Sequence, residues 1–409
     1  MKYYFLGSAY DNNSEKYLLK HSKSGLQAAA NQYQWGIIDG LVSILNQKIT
    51  VISSYPVGAF PIRNKKFFYN GFYKKLTDLL EIKYIGFVNL YLFRDVWRII
   101  KFESFISKKI NENGFCTVFV YALDLAFVRA VKNCKKKYKE KLIIILFIPD
   151  IPGELGVMRN RYTLEGFWDM MFVKSRLNIA KYADGFVFLT EYMKDVFPIF
   201  NKPYCVVEGF LPQQINYFNN DNHFDKKIIL YTGSLNMIFG IFELIEAFKL
   251  INDENYQLWI CGAGDGVNFV KEQAALNNNI VYHGYVNKIR ISELQQSANI
   301  LINPRRNVGA YTKYSFPSKT LEYLTTGKPT IMYKLTGIPD EYDEYLFYVN
   351  GDKIEDLKHK IIEVCSLSDQ TLLEFGQNAR KWVLEEKNNI KQAQKVKELL
   401  TIIENKNYN

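Results

Sequence analysis

Apolar runs alternate with amphipathic stretches along nearly the whole chain. In the first half the runs are rich in β-branched and aromatic residues, which predicts strands, and the stretches between them predict helices. The predicted strands are Tyr3–Gly7, Ile49–Ser53, Tyr84–Asn89, Thr117–Tyr121, Leu142–Ile148, Gly185–Leu189 and Tyr204–Val207. The clearest predicted helices are Gln27–Leu45, Leu92–Ile110, Leu125–Lys136 and Leu164–Lys181. Such alternation is typical of a parallel sheet.

A second alternating series occupies the other half of the chain. The segment Pro212–Lys227 before it is polar and asparagine-rich, which indicates an interdomain linker. The predicted strands are Ile228–Thr232, Gln257–Cys261, Ile280–His283, Ile300–Asn303, Thr330–Tyr333 and Leu346–Val349, and the pattern from Thr371 onward is helical. We therefore expect two α/β domains that face each other across a cleft, and a C-terminal helix that returns to the first domain. A ligand would bind at the carboxyl ends of the strands.

The basic charge of the chain is confined to its first half. The 409 residues include 52 Lys and Arg against 42 Asp and Glu, a formal net charge of +10. Residues 1–208 hold 30 basic and 18 acidic side chains, a net of +12, whereas the remainder holds 22 and 24, a net of −2. A partner of the first half should therefore be anionic: a phosphorylated lipid, a membrane surface or a nucleic acid.

Aromatic residues interleave the basic residues between Arg63 and Lys109, which favours an anionic membrane surface as the partner. Lysine and arginine attract anionic lipid, and aromatic rings add burial at the interface. The alternative is that the rings belong to the core and the lysines are merely solvated. No DNA- or RNA-binding motif accompanies the charge, so we expect no nucleic-acid partner.

Composition narrows the class of protein further. Hydrophobic residues make up 48% of the chain, which excludes disorder and small disulfide scaffolds. The five cysteines and four histidines are widely spread and no Cys-x-x-Cys occurs, so neither a disulfide framework nor a zinc site is expected. The N-terminus does not read as a signal peptide, and no apolar stretch approaches the roughly 20 residues of a membrane span. We expect a cytoplasmic protein, peripheral on the inner face of the membrane.

The segment Asn303–Met332 carries the richest candidate chemistry. A strand ends at Asn303, a polar loop follows, and a helix begins near Pro317. The free N–H groups at such a helix start, together with Lys319, would favour an anion there. Glu322 lies one turn after Ser318 on the same face, so a phosphate and a sugar hydroxyl could be held together. An ordinary capped helix start is the alternative.

Four strings in this half resemble the donor domain of family-4 glycosyltransferases and their GT-B relatives. The first runs from Ser315 to Leu324 and continues with Gly327-Lys328-Pro329. The others are Tyr231-Thr232-Gly233-Ser234-Leu235 with Gly240, then Trp259-Ile260-Cys261-Gly262-Ala263-Gly264, then Val281-Tyr282-His283-Gly284-Tyr285-Val286. They occur in the family's order. The resemblance covers about Ile228–Met332 well and the first half only loosely.

The resemblance implies the GT-B fold and a role for each matching position. Domains are then expected at 1–211 (acceptor-binding), 212–384 (nucleotide-sugar donor-binding) and 385–409 (the returning helix). Glu322 would bind the nucleotide ribose, Ser318 and Lys319 the diphosphate, and Tyr285 and Val286 the base. Gly233, Ser234, Gly262 and Gly264 would let the nucleotide approach closely.

Two departures from the family pattern affect the expected chemistry. Tyr314 stands where the family commonly has a first glutamate, and the loop after Gly233 lacks its usual cations. The diphosphate must then be neutralised by other cations, for which Arg305, Arg306, Lys313 and Lys319 are the candidates and Arg305 the first choice. No Asp-x-Asp occurs to hold a metal, so we expect no cofactor and a metal-independent reaction.

Acceptor-side residues are expected in the first half. The loop at Gly25 resembles the family's acceptor-side loop. Asp150 ends a strongly apolar strand, where an acidic residue is either a turn former or a group near the acceptor hydroxyl, and Glu154 is a weaker candidate. Asp150, Arg305 and Lys319 are thus the predicted catalytic residues.

The leading hypothesis is a glycosyltransferase that moves a hexose from a nucleoside diphosphate, UDP by preference, to a hydroxyl of a lipid-linked or surface-glycan acceptor. The resemblance to surface-polysaccharide enzymes implies retention of configuration. An alternative is a catalytically weak GT-B subunit that stabilises a partner transferase in a homo- or hetero-oligomer. A nucleotide-sugar epimerase is less favoured, because nothing resembles its paired acid and base.

Overall fold

The computed structural model describes residues 2–23, 26–91, 93–151, 173–197, 199, 201–211 and 225–408. It divides into two compact units. Unit 1 comprises Met1–Gln213 and Asn389–Asn409, and unit 2 comprises Gln214–Asn388. The expected domain boundaries at 211 and 384 lie within a few residues of these divisions.

Unit 1 is built on an eight-stranded sheet. Its order is β10-β9-β8-β7-β1-β2-β5-β4, with β4 antiparallel to β5 and every other pair parallel. The strands are β1 Lys2–Gly7, β2 Ile49–Ser53, β4 Phe72–Lys75, β5 Leu80–Tyr84, β7 Cys116–Tyr121, β8 Leu142–Ile148, β9 Gly185–Phe188 and β10 Tyr204–Val206, while β3 Phe68–Tyr69 pairs antiparallel with β6 Phe87–Val88. The central strands β7 and β8 are buried along their whole length, as continuous apolar runs require in a covered parallel sheet.

Helices connect the strands of unit 1. They include α1 Asn12–His21, α2 Ala28–Leu45, α3 Phe93–Asn113, α4 Leu125–Tyr138 and the short α5 Met193–Val196. Residues 173–180 are also helical, and the earlier part of the predicted helix Leu164–Lys181 lies outside the described residues. The predicted strand Tyr84–Asn89 is wrong: β5 ends at Tyr84, and the following residues form β6. The turn at Gly86 separates the two, where a Cβ would lie 2.5 Å from the backbone nitrogen of Gly71.

Unit 2 carries a six-stranded parallel sheet in the order β13-β12-β11-β14-β15-β16. The strands are β11 Lys227–Ser234, β12 Tyr256–Ala263, β13 Ile280–Gly284, β14 Ile300–Asn303, β15 Thr330–Met332 and β16 Phe347–Tyr348. The helices are α6 Ile241–Ile251, α7 Val267–Leu276, α8 Lys288–Ser297, α9 Ser318–Thr325, α10 Ile354–Cys365 and α11 Asp369–Glu386. Lys227, predicted as the last linker residue, begins β11 because its backbone pairs in register with Tyr256.

The last helix, α12 Asn389–Tyr408, completes unit 1. Its apolar residues Ala393, Val396 and Leu399 join the core that the first sheet forms with α2. Gly40 of α2 permits this approach, since a Cβ there would lie 2.5 Å from the backbone oxygen of Asn389. The expectation of a C-terminal helix that returns to the first unit is confirmed.

Candidate functional site

The start of α9 offers the backbone N–H groups of Ser318 and Lys319 at the carboxyl edge of the second sheet, while the Thr320 N–H bonds to the Pro317 carbonyl at 2.9 Å. The strand β14 ends at Asn303, and α9 begins at Ser318 after Pro317, whose side chain provides no cap. The first N–H groups of a helix have no partner within the helix, and the dipole makes this end electropositive. Ser318 is exposed, so a ligand can reach these donors.

Lys319 and Glu322 form an ion pair on the exposed face of α9. The Lys319 Nζ lies 2.9 Å from both carboxylate oxygens of Glu322. The two residues are one helical turn apart, the spacing at which side chains meet on a helix surface. Both side chains are partly exposed, so an incoming diphosphate can compete with Glu322 for the ammonium group.

A buried amide fixes the position of Glu322. Gln295, on α8, donates from Nε2 to Oε1 of Glu322 at 2.7 Å and lies 3.1 Å from the hydroxyl oxygen of Thr232. Tyr323, on α9, fixes the backbone of Thr232. Its hydroxyl accepts a hydrogen bond from the Thr232 N–H at 2.9 Å and donates one to the Thr232 carbonyl at 3.0 Å. Three elements, β11, α8 and α9, thus hold one carboxylate. The sequence pattern did not reveal Gln295, since one polar residue on a helix carries no distinctive signal.

Arg305 follows β14 directly and is half-buried. Its guanidinium lies 5.0 Å from the Tyr311 ring centroid and 5.4 Å from that of Phe239, and Nη2 donates to the hydroxyl of Ser315 at 2.9 Å. Burial lowers the pKa of Arg305, yet arginine keeps its charge in proteins. Its Nε is buried and has no partner among the described residues, so in this conformation that atom is out of a ligand's reach.

Arg306 is less available than the sequence suggested. Its guanidinium is paired with Glu243 of α6 at 2.7 Å. Of this adjacent pair, Arg305 therefore remains the better candidate for neutralising an anion.

Glycines at and just beyond the carboxyl ends of β11 and β12 allow those backbones to come together. Gly262 has φ of +152°, and a Cβ there would lie 1.8 Å from the carbonyl oxygen of Gly233. A Cβ on Gly264 would lie 2.5 Å from the backbone nitrogen of Asn236. Only glycine fits at these positions. The loops therefore run close together beside the exposed Ser234.

The turn after β13 places one exposed and one anchored side chain. Tyr285 is 82% exposed, whereas Val286 packs on the core of unit 2. Burial raises the pKa of the nearby Cys261 thiol, and the charge of Lys319 opposes that rise. The same thiol lies 3.3 Å from the carbonyl oxygen of Gly284. Lys319 and the turn are thus neighbours of the same side chain.

Asp150 stands beyond the carboxyl end of β8 in unit 1. Although its side chain reaches solvent, the surrounding protein desolvates the carboxyl and raises its pKa to about 6. Tyr33 and Tyr121 lie close enough to sense its charge, since Asp150 contributes to the raised pKa of each. A carboxyl that titrates near neutral pH can accept or hold a proton during a reaction. Gly25 and Glu154 lie outside the described residues.

Comparison with known proteins shows what this arrangement is similar to. Residues 213–382 match the protein family described as Glycosyl transferases group 1. This segment is therefore similar to glycosyltransferase domains. A segment of 118 residues, 28% of the chain, is 28% identical to an uncharacterized glycosyltransferase of Methanocaldococcus jannaschii and covers 29% of that relative. The prediction of a glycosyltransferase is thus confirmed for this domain.

Solved structures extend the likeness to the whole chain at the level of the fold. The sucrose-phosphate synthase of Thermosynechococcus elongatus superposes with a TM-score of 0.67 at 13% identity, over 98% of this chain and 99% of that one. Anabaena HepE in complex with UDP gives 0.61 at 12% identity, over 98% and 100%. The predicted GT-B fold is therefore confirmed.

No metal centre or membrane span is found in the part of the chain that the structure describes. There, no group of three or more His, Cys, Asp and Glu side chains is arranged to hold a metal ion. Within the same residues, no helix combines the length and the apolar character that crossing a membrane requires.

Proposed function

We propose that the protein transfers a hexose from a UDP-sugar to a hydroxyl of a lipid-linked or surface-glycan acceptor, with retention and without a metal. The observation that carries the donor half is the start of α9. The N–H groups of Ser318 and Lys319, the Lys319 ammonium and the positive charge of Arg305 are what a diphosphate needs.

Each residue has a defined part in this proposal. Lys319 and Arg305 neutralise charge that develops on the departing diphosphate, which lowers the barrier to bond cleavage. Glu322 accepts hydrogen bonds from the ribose hydroxyls. Tyr285 and Val286 hold the base, and Ser318 binds phosphate. Asp150 acts on the acceptor side, where its carboxylate accepts a hydrogen bond from the attacking hydroxyl.

The nucleotide assignment draws support from a relative. HepE of Anabaena, which shares the fold, was solved in complex with UDP. In this chain the same end of the second sheet carries the glycine loops and the start of α9, the arrangement that binds nucleotide phosphates in other α/β proteins.

Donor turnover tests the proposal directly. The protein is incubated with UDP-glucose, UDP-galactose, UDP-N-acetylglucosamine, ADP-glucose and GDP-mannose, and release of the nucleoside diphosphate is measured with and without EDTA. We expect release from one UDP-sugar, unchanged by EDTA, and its loss in Arg305→Ala. Release from none of the five sugars would refute the activity, and a loss that magnesium restores would refute the metal-free mechanism.

A second candidate function is a GT-B subunit with little activity of its own. Tyr314 favours it, because a phenol cannot supply the negative charge of the glutamate that it replaces in the family pattern. That subunit would bind UDP without releasing it from any donor until a partner transferase is added.

We also propose an anionic membrane as a partner of unit 1. Phe93, Val96, Trp97 and Ile100 of α3 are all exposed, and their spacing places them on one face of the helix. Lys101 lies beside this face, with Nζ 5.7 Å from the Trp97 ring centroid. We call these four side chains the α3 stripe.

The remaining aromatics of the basic stretch divide between surface and core. Phe67, Phe68 and Tyr73 are exposed, whereas Tyr69 and Phe102 are buried. The core interpretation therefore holds for the last two. An exposed apolar stripe beside cations, on the half that carries +12, fits an anionic lipid surface.

A further inference from the structure

A cleft of about 400 Å³ opens at the carboxyl end of the first sheet, away from the residues assigned so far. Asp11, Asn13 and Tyr17 line it from the start of α1, and Asn70, Phe72 and Lys74 line it from the β4 side. Its volume falls within the range of about 300–1,000 Å³ that is common for ligand pockets.

Phe72 offers ring surface to a ligand in this cleft, and Tyr17, whose ring also contacts His21 and Lys66, offers part of its surface. Phe72 is 44% exposed and Tyr17 is 36% exposed. Both are held by buried neighbours: the Phe72 ring centroid lies 4.5 Å from that of Tyr84, and the Tyr17 centroid lies 6.3 Å from that of Tyr69. The rings are therefore positioned before a ligand arrives, which reduces the entropy lost on binding.

The polar groups of the cleft balance each other in charge. Asp11 forms an ion pair with Lys74 and accepts a hydrogen bond from the backbone N–H of Ser14 at 2.8 Å. Burial opposes its ionisation, but these hydrogen bonds outweigh burial and lower the pKa of Asp11. The carboxylate thus neutralises the Lys74 ammonium, while the Lys66 ammonium at the rim is bound to the Tyr17 hydroxyl and lies 4.9 Å from the Tyr17 ring centroid.

Amide groups add donors and acceptors that the protein does not use. The side chains of Asn13 and Asn70 make no hydrogen bond to any described residue and line the same cleft. Exposed ring faces beside neutral amides and a paired carboxylate suit a ligand with apolar C–H faces and many hydroxyls. A sugar has both, whereas a lipid chain would leave the amides without partners.

The position of the cleft relative to Asp150 decides which sugar would bind. Asp11 follows β1 and Tyr55 follows β2, while Asp150 follows β8, three strand positions from β2. Adjacent strands lie about 4.8 Å apart, so along the sheet Asp11 and Tyr55 lie roughly 10 and 14 Å from Asp150, and Phe72, on β4, lies roughly 24 Å from it. A single sugar ring is too small to reach both places.

We propose that this cleft binds a sugar unit of the acceptor distant from the hydroxyl that reacts, so that the acceptor is an oligosaccharide. The proposal rests on the proposed function for the identity of the acceptor. Binding of the distant unit would hold the glycan in register with Asp150. It would favour acceptors of several sugars over monosaccharides.

A matched pair of variants tests the cleft. Phe72→Ser removes an exposed ring from it, and Phe68→Ser removes a ring of similar exposure, 42% against 44%, that does not line it. Asn70→Ala removes a free amide without altering the core. Labelled protein is applied to a printed array of bacterial surface oligosaccharides of one to six sugars, and UDP is titrated into each variant separately.

We expect wild type and Phe68→Ser to bind array members of three or more sugars, and Phe72→Ser and Asn70→Ala to bind at least tenfold more weakly, with UDP affinity equal throughout. A wild type that binds UDP but no oligosaccharide, or a Phe72→Ser that binds like wild type, overturns the cleft while leaving the donor site intact. A wild-type protein that does not bind UDP would instead refute the proposed function. If Phe72→Ser loses binding to phosphatidylglycerol vesicles and keeps the glycans, the cleft belongs to the membrane surface and the saccharide assignment fails.

Discussion

Gln295 donates a hydrogen bond of 2.7 Å to the same carboxylate oxygen of Glu322 that lies 2.9 Å from the Lys319 ammonium. A neutral amide and a cation thus share one acceptor. In the proposed donor site, a diphosphate that bound Lys319 would remove one of these two contacts and leave the hydrogen bond from Gln295 in place. Glu322 would then keep its orientation whether or not the nucleotide is bound.

The first prediction concerns Glu322 itself. Glu322→Ala should weaken UDP binding ten- to a hundredfold, since losing a charge-assisted hydrogen bond costs on the order of 1.5–3 kcal/mol. Isothermal titration calorimetry with UDP measures the change. Glu246→Ala is the matched control, because Glu246 also pairs with a lysine three residues away, Lys249, but on α6 outside the site. Equal UDP affinities in folded wild type and Glu322→Ala would exclude this residue from the donor site.

The second prediction separates positioning from binding. Gln295→Leu should lower the free energy of unfolding by about 1–3 kcal/mol, because it leaves the buried Thr232 hydroxyl and Glu322 without their amide partner. UDP affinity should fall as well, although Gln295 would not touch the nucleotide. Thermal unfolding followed with and without UDP reports both effects. Gln296→Leu, on the next position of α8, removes only a long hydrogen bond of 3.4 Å to the Thr326 carbonyl and should change both quantities much less. A Gln295 variant that binds UDP like wild type would refute the positioning role.

The third prediction follows from the pKa of Asp150, raised from 3.8 to about 6 by desolvation. The folded protein holds this proton more tightly than the unfolded chain, so Asp150 lowers stability as pH rises from about 4 to above 6. Asp150→Asn should therefore unfold at a higher temperature than wild type at pH 7.5 and at a similar temperature at pH 4. A carbon-detected NMR titration should show one carboxyl midpoint near pH 6 in wild type that the variant lacks. Its presence in both proteins would assign the midpoint to another residue.

The fourth prediction concerns the α3 stripe. Replacing Trp97 and Ile100 by serine should reduce co-sedimentation with phosphatidylglycerol vesicles while leaving UDP affinity unchanged, because the stripe and the donor residues belong to different units. Exposed Leu276 of unit 2 provides the control, as Leu276→Ser removes apolar surface outside the basic half. The attraction should weaken as salt rises, since charges are screened within about 8 Å at physiological ionic strength. Equal sedimentation of the stripe variant and wild type at low salt would show that the stripe does not contact lipid.

Substituting lysines of the basic stretch tests membrane binding less well than substituting the α3 stripe. Lys74 pairs with Asp11 and Lys75 with Asp78, so changing them breaks ion pairs as well as removing charge. Lys66 is bound to the Tyr17 hydroxyl. Any lost binding in such variants would have two explanations.

Strong apolar periodicity made most of the fold predictable. The strands Ile49–Ser53, Leu142–Ile148 and Ile300–Asn303 have the predicted bounds, because each is a continuous apolar run in a covered parallel sheet. The helix Asn12–His21 was missed. It is polar overall, and what defines its start is the Asp11 side chain, which accepts from the Ser14 N–H at 2.8 Å.

The apolar pattern of the sequence also could not predict the edge strand β4 or the hydrogen bond that positions Glu322. Phe72–Lys75 is short and mostly exposed, so no buried run marks it, and its pairing with β5 depends on tertiary structure. The start of α9 with Lys319 and Glu322 could be predicted, since proline and helix spacing are local signals. The approach of Gln295 from α8 could not, because it joins residues 27 positions apart through the packing of two helices.

The path of the chain through the two units has a consequence for biosynthesis. Unit 1 needs Val396, Leu399 and Ile403 in its core, yet the ribosome makes these residues only after the whole of unit 2. Domains usually fold as they emerge, the first one first. Here unit 2 can fold before α12 is synthesised, so the core surface of unit 1 that α12 covers is still exposed at that time. A chaperone or the membrane surface would therefore be needed while the first half of the chain has been synthesised but α12 has not.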